Sequence, residues 1–178
     1  MVSCRDFFCA IVDTMRQDPF ALETANLSVI KFGGEQKVVM PLVDLCSFYL
    51  QDGAFVPGCS LGSGLTQLAA AIRSDVVPSD AGVPGDWRPC VVLWLTAEPT
   101  DDLESGLRQL ESIKMGRLFA VVAGSVAKTT TNRLKDAGFI VVYAVSGEDP
   151  LIRWREDVWK AQFDFSEADI DDPDDSSR

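Results

Sequence analysis

The segment Val91–Leu95 constrains the fold of this chain more than any other. It is an unbroken apolar run rich in β-forming residues, and Pro89 and Pro99 bound it on either side. Such a run is typical of a strand that is buried on both faces, at the centre of a parallel sheet. The chain then turns polar, with carboxylates at Glu98 and Asp101. Because ligands bind at the carboxyl ends of the strands in open α/β sheets, we expect the functional site there.

The remaining hydrophobic periodicity predicts alternating helices and strands. Alternation of strand and helix predicts right-handed parallel crossovers, and an early hairpin adds one antiparallel edge strand. The predicted fold class is α/β, a doubly wound, Rossmann-like, mostly parallel sheet with one antiparallel edge strand and helices on both faces. We expect one domain over residues 1–165 and an acidic, disordered tail over 166–178. Helices are predicted over 4–16, 65–72, 103–113, 129–137 and 149–163, and strands over 27–32, 37–45, 91–95, 118–123 and 139–145.

The amino-acid composition limits the catalytic sites, the cellular compartments and the classes of partner that we expect. The chain has no histidine, which excludes Ser-His and Cys-His catalytic pairs and His-ligated metals. Its five cysteines are scattered without a C-x-x-C pair, as in reduced cytosolic proteins, and Cys59 is expected in an exposed loop. A net charge of −11 disfavours nucleic acid and anionic membranes. No apolar run approaches the ~20 residues of a membrane span. We therefore expect a cytoplasmic protein with neither nucleic acid nor membrane as partner.

Two local patterns resemble catalytic or phosphate-binding motifs but do not meet them. The stretch Gly124–Thr129 lacks the glycine that precedes the lysine in a phosphate-binding loop. Gly62-Ser63-Gly64 does not form the G-x-S-x-G nucleophile elbow. Trp154 and Trp159 are expected on either side of one helix, with one in the core and the other partly covered. No catalytic residue is predicted.

Four blocks of the chain resemble one known family. They are residues 16–24, 27–32, 85–89 and 95–101, and they are similar to the von Willebrand factor A (vWA) domains of the bacterial tellurium-resistance, or TerY-like, group. The resemblance implies the vWA fold and a bacterial cytosolic protein linked to tellurite or stress response. It also implies a protein partner, either a metal-dependent protein phosphatase or a kinase-like protein.

The family's metal-ion-dependent adhesion site holds magnesium or manganese through an Asp-x-Ser-x-Ser stretch, a Thr in a Gly-rich loop and an Asp in a Thr-Asp-Gly turn. Here the first motif is absent, Ser60 stands roughly where the Thr belongs, and Thr96-Ala97 replaces the turn. We therefore expect Ser60, Thr96 and Ala97 to be the vestigial edge of a site that holds no metal or other cofactor. Mg²⁺ or Mn²⁺ would bind only if the site were retained, with Glu98 and the Asp101-Asp102 pair as replacement ligands. The other interpretation is that these carboxylates cap the next helix.

The sequence thus predicts a non-catalytic protein–protein interaction module. Its expected partner-binding face consists of Gly58, Ser60, Glu98 and Asp101, at the carboxyl ends of the strands. Two alternatives remain open. One is a truncated or mis-started vWA protein that binds a divalent cation through upstream residues, although Ala97 speaks against it. The other is a small hydrolase or nucleotide-binding enzyme on the same fold.

The resemblance also implies that one strand is missing between the strands at 27–32 and 91–95. Either these two strands pair directly, or a strand from another chain fills the slot. We expect direct pairing between 28–30 and 92–94, because both strands are apolar and rich in β-forming residues.

Overall fold

The computed structural model describes residues 3–33, 37–50, 59–77, 85, 88–144 and 149–160, and the predicted tail lies outside them. Helices and strands alternate over most of this length, and the α/β fold class is confirmed. No helix in these ranges is long and apolar enough to cross a membrane. The elements are α1 (Cys4–Arg16), α2 (Pro19–Thr24), β1 (Asn26–Lys31), β2 (Lys37–Asp44), α3 (Leu61–Asp75), β3 (Val91–Ala97), α4 (Leu103–Glu111), β4 (Leu118–Ser125), α5 (Lys128–Asp136), β5 (Phe139–Tyr143), α6 (Pro150–Trp154) and a π-helix (Arg155–Trp159).

A three-stranded parallel sheet, in the order β3-β4-β5, forms the centre of the fold. Along β3 the side chains alternate between two apolar cores, so that Val92 and Trp94 pack on one side and Leu93 and Leu95 on the other. The first core contains residues of α1 and α6, and the second contains residues of α3, α4 and α5. The sheet is therefore covered by helices on both faces, as the continuous apolar run predicts.

The hairpin is confirmed, but it forms a sheet of its own. β1 pairs with β2 in antiparallel register, with Leu27 opposite Val43 and Ile30 opposite Val38. β1 has no ladder with β3. The prediction that 28–30 pairs directly with 92–94 is therefore wrong, and two sheets replace the single one expected.

The position of α1 explains why the two sheets stay apart. The ring centroid of Phe7 lies 5.1 Å from that of Trp94, which seats α1 against β3. At the other end of the helix, the Arg16 guanidinium donates to the backbone oxygen of Phe48, and the Arg155 guanidinium donates to the Thr14 hydroxyl at 2.8 Å. Pairing β1 directly with β3 would have to displace Phe8 and Ile11 of α1, which line the space between the two strands.

Several local predictions are corrected. A short helix, α2, which was not predicted, follows α1, because Asp18 caps it and Pro19 opens it. α3 begins at Leu61 rather than at residue 65. The last helix becomes a π-helix, whose wider turn brings the rings of Trp154 and Trp159 to 5.6 Å on one side instead of opposite sides. As predicted, Trp154 is buried and Trp159 only partly covered.

Candidate functional site

An apolar groove of about 610 Å³ separates β1 from β3. One wall runs from Leu27 to Gly33, and α1 contributes Phe8 and Ile11 to the lining. The β3 side contributes Cys90, Val92, Trp94, Thr96 and Ala97. Several large apolar side chains along it remain partly exposed, whereas Val91, Leu93 and Leu95, which alternate with two of them in β3, are buried. The partly exposed side chains are Phe8, Val29, Ile30, Val92 and Trp94.

The peptide that joins Cys59 to Ser60 bridges the chain segments that follow β1 and β3, and the end of the groove beside it is called the closed end. The Ser60 N–H donates to the Phe32 oxygen at 2.7 Å, directly after β1. The Cys59 oxygen accepts from the Thr100 N–H at 2.9 Å, shortly after β3. The carboxyl ends of β1 and β3 therefore lie at the same end of the groove, and the two strands run in the same direction.

Asp101 ties α3 to the loop that follows β3. Its carboxylate accepts from the Gly62 N–H at 2.9 Å, and from the N–H and hydroxyl of Ser63 at 2.7 Å each. Partial burial acts to raise the pKa of Asp101, but these hydrogen bonds outweigh it and hold the pKa below its usual value. The position before α3 is Ser60, whose own side chain makes no cap hydrogen bond. The distant carboxylate thus does the work of an N-cap.

Glu98 and Asp102 cap two further helices from the same loop. Glu98 accepts from the Ala127 N–H at 2.7 Å and from the Thr130 hydroxyl, at the start of α5. Asp102 accepts from the Ser105 N–H at 3.2 Å, at the start of α4. The capping interpretation expects all three carboxylates to cap the next helix along the chain. Asp102 does so, whereas Glu98 and Asp101 cap other helices. The three carboxylates of this loop therefore fasten three different helices to the carboxyl end of β3.

The residues predicted as a partner-binding face are brought close together, except for Gly58, which lies outside the described residues. Ser60 lies at the closed end of the groove through its backbone, and Thr96 and Ala97 line the groove itself. Glu98 and Asp101 are nearby, but their carboxylates are occupied by the helix caps. Whether a partner contacts this face stays a prediction.

Nothing in the described part of the chain groups three Cys, Asp or Glu side chains closely enough to hold a metal ion. Cys59 is buried, at 4% exposed, so the expectation of an exposed thiol is wrong. Burial, together with the negative charges of Asp101 and Glu98, raises the pKa of its thiol to about 11. Cys59 is buried because α3 starts early, at Leu61, so that Cys59 just before the helix packs in the second core. Its neutral thiol is a poor nucleophile.

From the sequence, we considered a slot between the strands at 27–32 and 91–95, filled by a strand from another chain, but we expected the slot to close and therefore placed the site elsewhere. The signal for the groove is the strand that the family resemblance implies between residues 27–32 and 91–95, because its absence leaves facing strand edges. Trp94 and Ile30 were predicted only as members of the two strands that would pair, and both line the groove. Comparison with protein-family models, with curated proteins and with solved structures finds no match to this chain.

Proposed function

We propose that this chain is a protein-interaction module that binds its partner in the groove between β1 and β3. The observation that carries the proposal is the groove itself, an apolar cleft of about 610 Å³ with half-exposed aromatic side chains at Phe8 and Trp94. Aromatic side chains are enriched at protein interfaces, and contiguous exposed apolar surface marks sites of interaction.

The proposal includes the family suggested by the sequence, a TerY-like vWA domain whose metal site is degenerate. The element order supports it, since an antiparallel hairpin precedes a parallel sheet with helices on both faces. A partner of the phosphatase or kinase-like class, a cytosolic setting and a role in tellurite or stress response belong to the same proposal. The carboxylate loop after β3 serves as the scaffold of the groove's closed end.

The experiment compares two Ile→Lys variants. Ile30 is half-buried and lines the groove, whereas Ile152 in α6 is 52% exposed and lies elsewhere. Tagged wild-type protein and both variants are purified from native lysate, and the recovered partner is then produced alone and titrated by calorimetry. A charge in an apolar contact is costly, so Ile30→Lys is expected to weaken binding at least about tenfold and Ile152→Lys to leave it unchanged. Equal binding by all three proteins would contradict the proposal.

A second candidate function is the binding of an apolar small molecule. The groove volume of about 610 Å³ favours it, because ligand pockets usually measure about 300–1,000 Å³. Native mass spectrometry of protein purified without detergent tests this function. A stoichiometric small-molecule adduct that Ile30→Lys removes would support it, and a spectrum of the bare chain would count against it.

A further inference from the structure

We infer that the groove receives one extended strand from the partner polypeptide. The strand is about six residues long, apolar on both faces, and acidic at the position beside Lys31. This inference rests on the proposed function, because it names what the partner inserts into the same site. Four features support the inserted strand: the width of the groove, its hydrogen-bonding edges, the two apolar layers of the fold and one charge.

The width of the groove corresponds to one strand. The Cys59–Ser60 peptide spans its closed end, with its N–H bonded to the β1 side and its C=O bonded to the β3 side. A peptide in a central strand bonds in the same way to the neighbours on its two sides. Since adjacent strands lie about 4.8 Å apart, a peptide bonded on both sides holds its neighbours roughly 10 Å apart. At this end of the groove, the separation therefore corresponds to the width of one strand.

Within the part of the chain that the structure describes, both walls of the groove present strand edges that have no ladder partner. Among the described residues, β1 pairs only with β2, and β3 pairs only with β4. The backbone N–H and C=O groups on their other edges face the groove. Six residues of β1 and seven of β3 flank it, which matches an insert roughly 20 Å long. An inserted strand bonds on both sides, unlike the usual strand addition at a single free edge.

The two apolar layers of the fold determine the side chains of the insert. β3, which borders the groove, sends Val92 and Trp94 into one core and Leu93 and Leu95 into the other. A strand lying beside β3 in the same plane presents its side chains alternately to the same two layers. Continuous apolar runs are typical of strands that are buried on both faces. The insert therefore differs from a surface strand, whose side chains alternate between apolar and polar.

One charge distinguishes the two ends of the groove. Lys31 is the only charged side chain among the described residues that line it. It is half-buried at the end of β1, and none of the ion pairs within the described ranges involves it. A carboxylate on the insert would pair with this ammonium, and partial shielding from water strengthens such a pair. The charge thus favours an insert with Asp or Glu at that end.

A synthetic peptide tests the inference without knowledge of the natural partner. The probe is Thr-Val-Ile-Val-Val-Asp with blocked termini, and its control has the same sequence with two successive central amides N-methylated. The control keeps every side chain but loses one N–H donor toward each wall. With the full chain, we expect the unmodified peptide to bind at least about tenfold more tightly than the control, because two hydrogen bonds are lost. Amide exchange is expected to slow in both 28–30 and 92–94.

Variants at Lys31 test the charge. Lys31→Glu is expected to weaken binding of the Asp-ended peptide, and a Lys-ended peptide should restore it in that variant alone. Equal affinity of the N-methylated peptide, protection of only one wall, or no binding at millimolar peptide would each overturn the inference.

The proposed function and the inserted strand can be rejected independently of each other. Peptide insertion alongside an Ile30→Lys variant that still binds the natural partner would reject the proposed function only. If Ile30→Lys abolishes partner binding, but the bound partner does not slow amide exchange in either wall of the wild-type protein, only the inserted strand is rejected.

Discussion

Replacing Asp101 with alanine is expected to destabilise the fold more than any other change in the loop after β3. The substitution removes the acceptor of three hydrogen bonds, from the Gly62 N–H and from the N–H and hydroxyl of Ser63. Loss of an N-cap usually costs about 0.5–2 kcal/mol. We expect about 2 kcal/mol here, at the upper end, because a charged acceptor strengthens each bond. In a chain of this size, that loss lowers the Tm by about 4–8 °C.

Urea unfolding followed by tryptophan fluorescence measures the effect, and its pH dependence tests the cause. The hydrogen bonds hold the folded-state pKa of Asp101 below its usual value. A lowered folded-state pKa adds stability that is fully present above the unfolded pKa, about 3.9, and is lost as the pH falls through the folded value. The difference in unfolding free energy between wild type and Asp101→Ala should therefore be constant near neutrality and shrink below about pH 4.

Two further variants separate the cap from general disruption. Asp101→Asn keeps one of the two acceptor oxygens, and it should lose about half as much stability as Asp101→Ala. Asp102→Ala removes a single longer bond, at 3.2 Å to the Ser105 N–H, and it should lose less than about 1 kcal/mol. A change below about 0.5 kcal/mol for Asp101→Ala, typical of ordinary surface positions, would refute this account of the loop. A difference that persists undiminished at low pH would refute the charge-based explanation.

Three other predictions concern two glycines and the reactivity of a thiol. A Cβ at Gly124 would lie 1.9 Å from the Thr96 oxygen, so Gly124→Ala should lose about 1–3 kcal/mol by forcing β3 and β4 apart. A Cβ at Gly138 would meet no atom within 4 Å, but its φ of 89° strains any L side chain, so Gly138→Ala should lose about 1–2 kcal/mol of unfolding free energy. Urea unfolding measures both glycine variants, and an unchanged midpoint in either variant would contradict its prediction. Iodoacetamide should alkylate buried Cys59, with its pKa of about 11, at least about tenfold more slowly than exposed Cys46. Peptide mapping by mass spectrometry measures both rates, and equal rates would contradict the burial of Cys59.

The strands of the parallel sheet could be predicted from the sequence because their signal is local. The apolar run from Val91 to Leu95 needs two buried faces wherever it lies, and the structure gives it two cores. The α1 helix was predicted with its observed ends, since its apolar stripe and the break before Pro19 both lie within the segment. Gly138 directly follows the C-cap residue of α5, and its positive φ is the conformation in which many helices end.

The capping loop could be predicted only in part, because its hydrogen bonds join distant parts of the chain. Asp101 bonds to a residue 39 positions earlier, and Glu98 to one 29 positions later. Local pattern predicts a cap for the helix that follows, and Asp102 does provide it. Which helix start comes to lie beside each of the other two carboxylates depends on how the helices pack over the sheet. No sequence spacing encodes that packing.

The separation of β1 from β3 was predicted wrongly for a related reason. Strand propensity favours pairing of the two strands, but it does not include the elements that hold them apart. The Cys59–Ser60 peptide bridges one end, and α1 packs across the groove through Phe8 and Ile11. The carboxylate of Asp101 secures the helix that begins directly after this peptide. These elements hold β1 and β3 apart without a contribution from a partner.

A groove whose width is fixed in this way suits binding with little rearrangement. An insert meets walls that are already separated by the space of one strand, so the entropy lost on binding falls mainly on the insert. The price of this arrangement is that apolar side chains such as Trp94 stay half-exposed when the groove is empty. Local opening should therefore be easiest along the free edges of β1 and β3, and hardest at the end fastened by Glu98 and Asp101. The parts of the molecule proposed to bind and the parts that hold the fold together are thus adjacent but distinct.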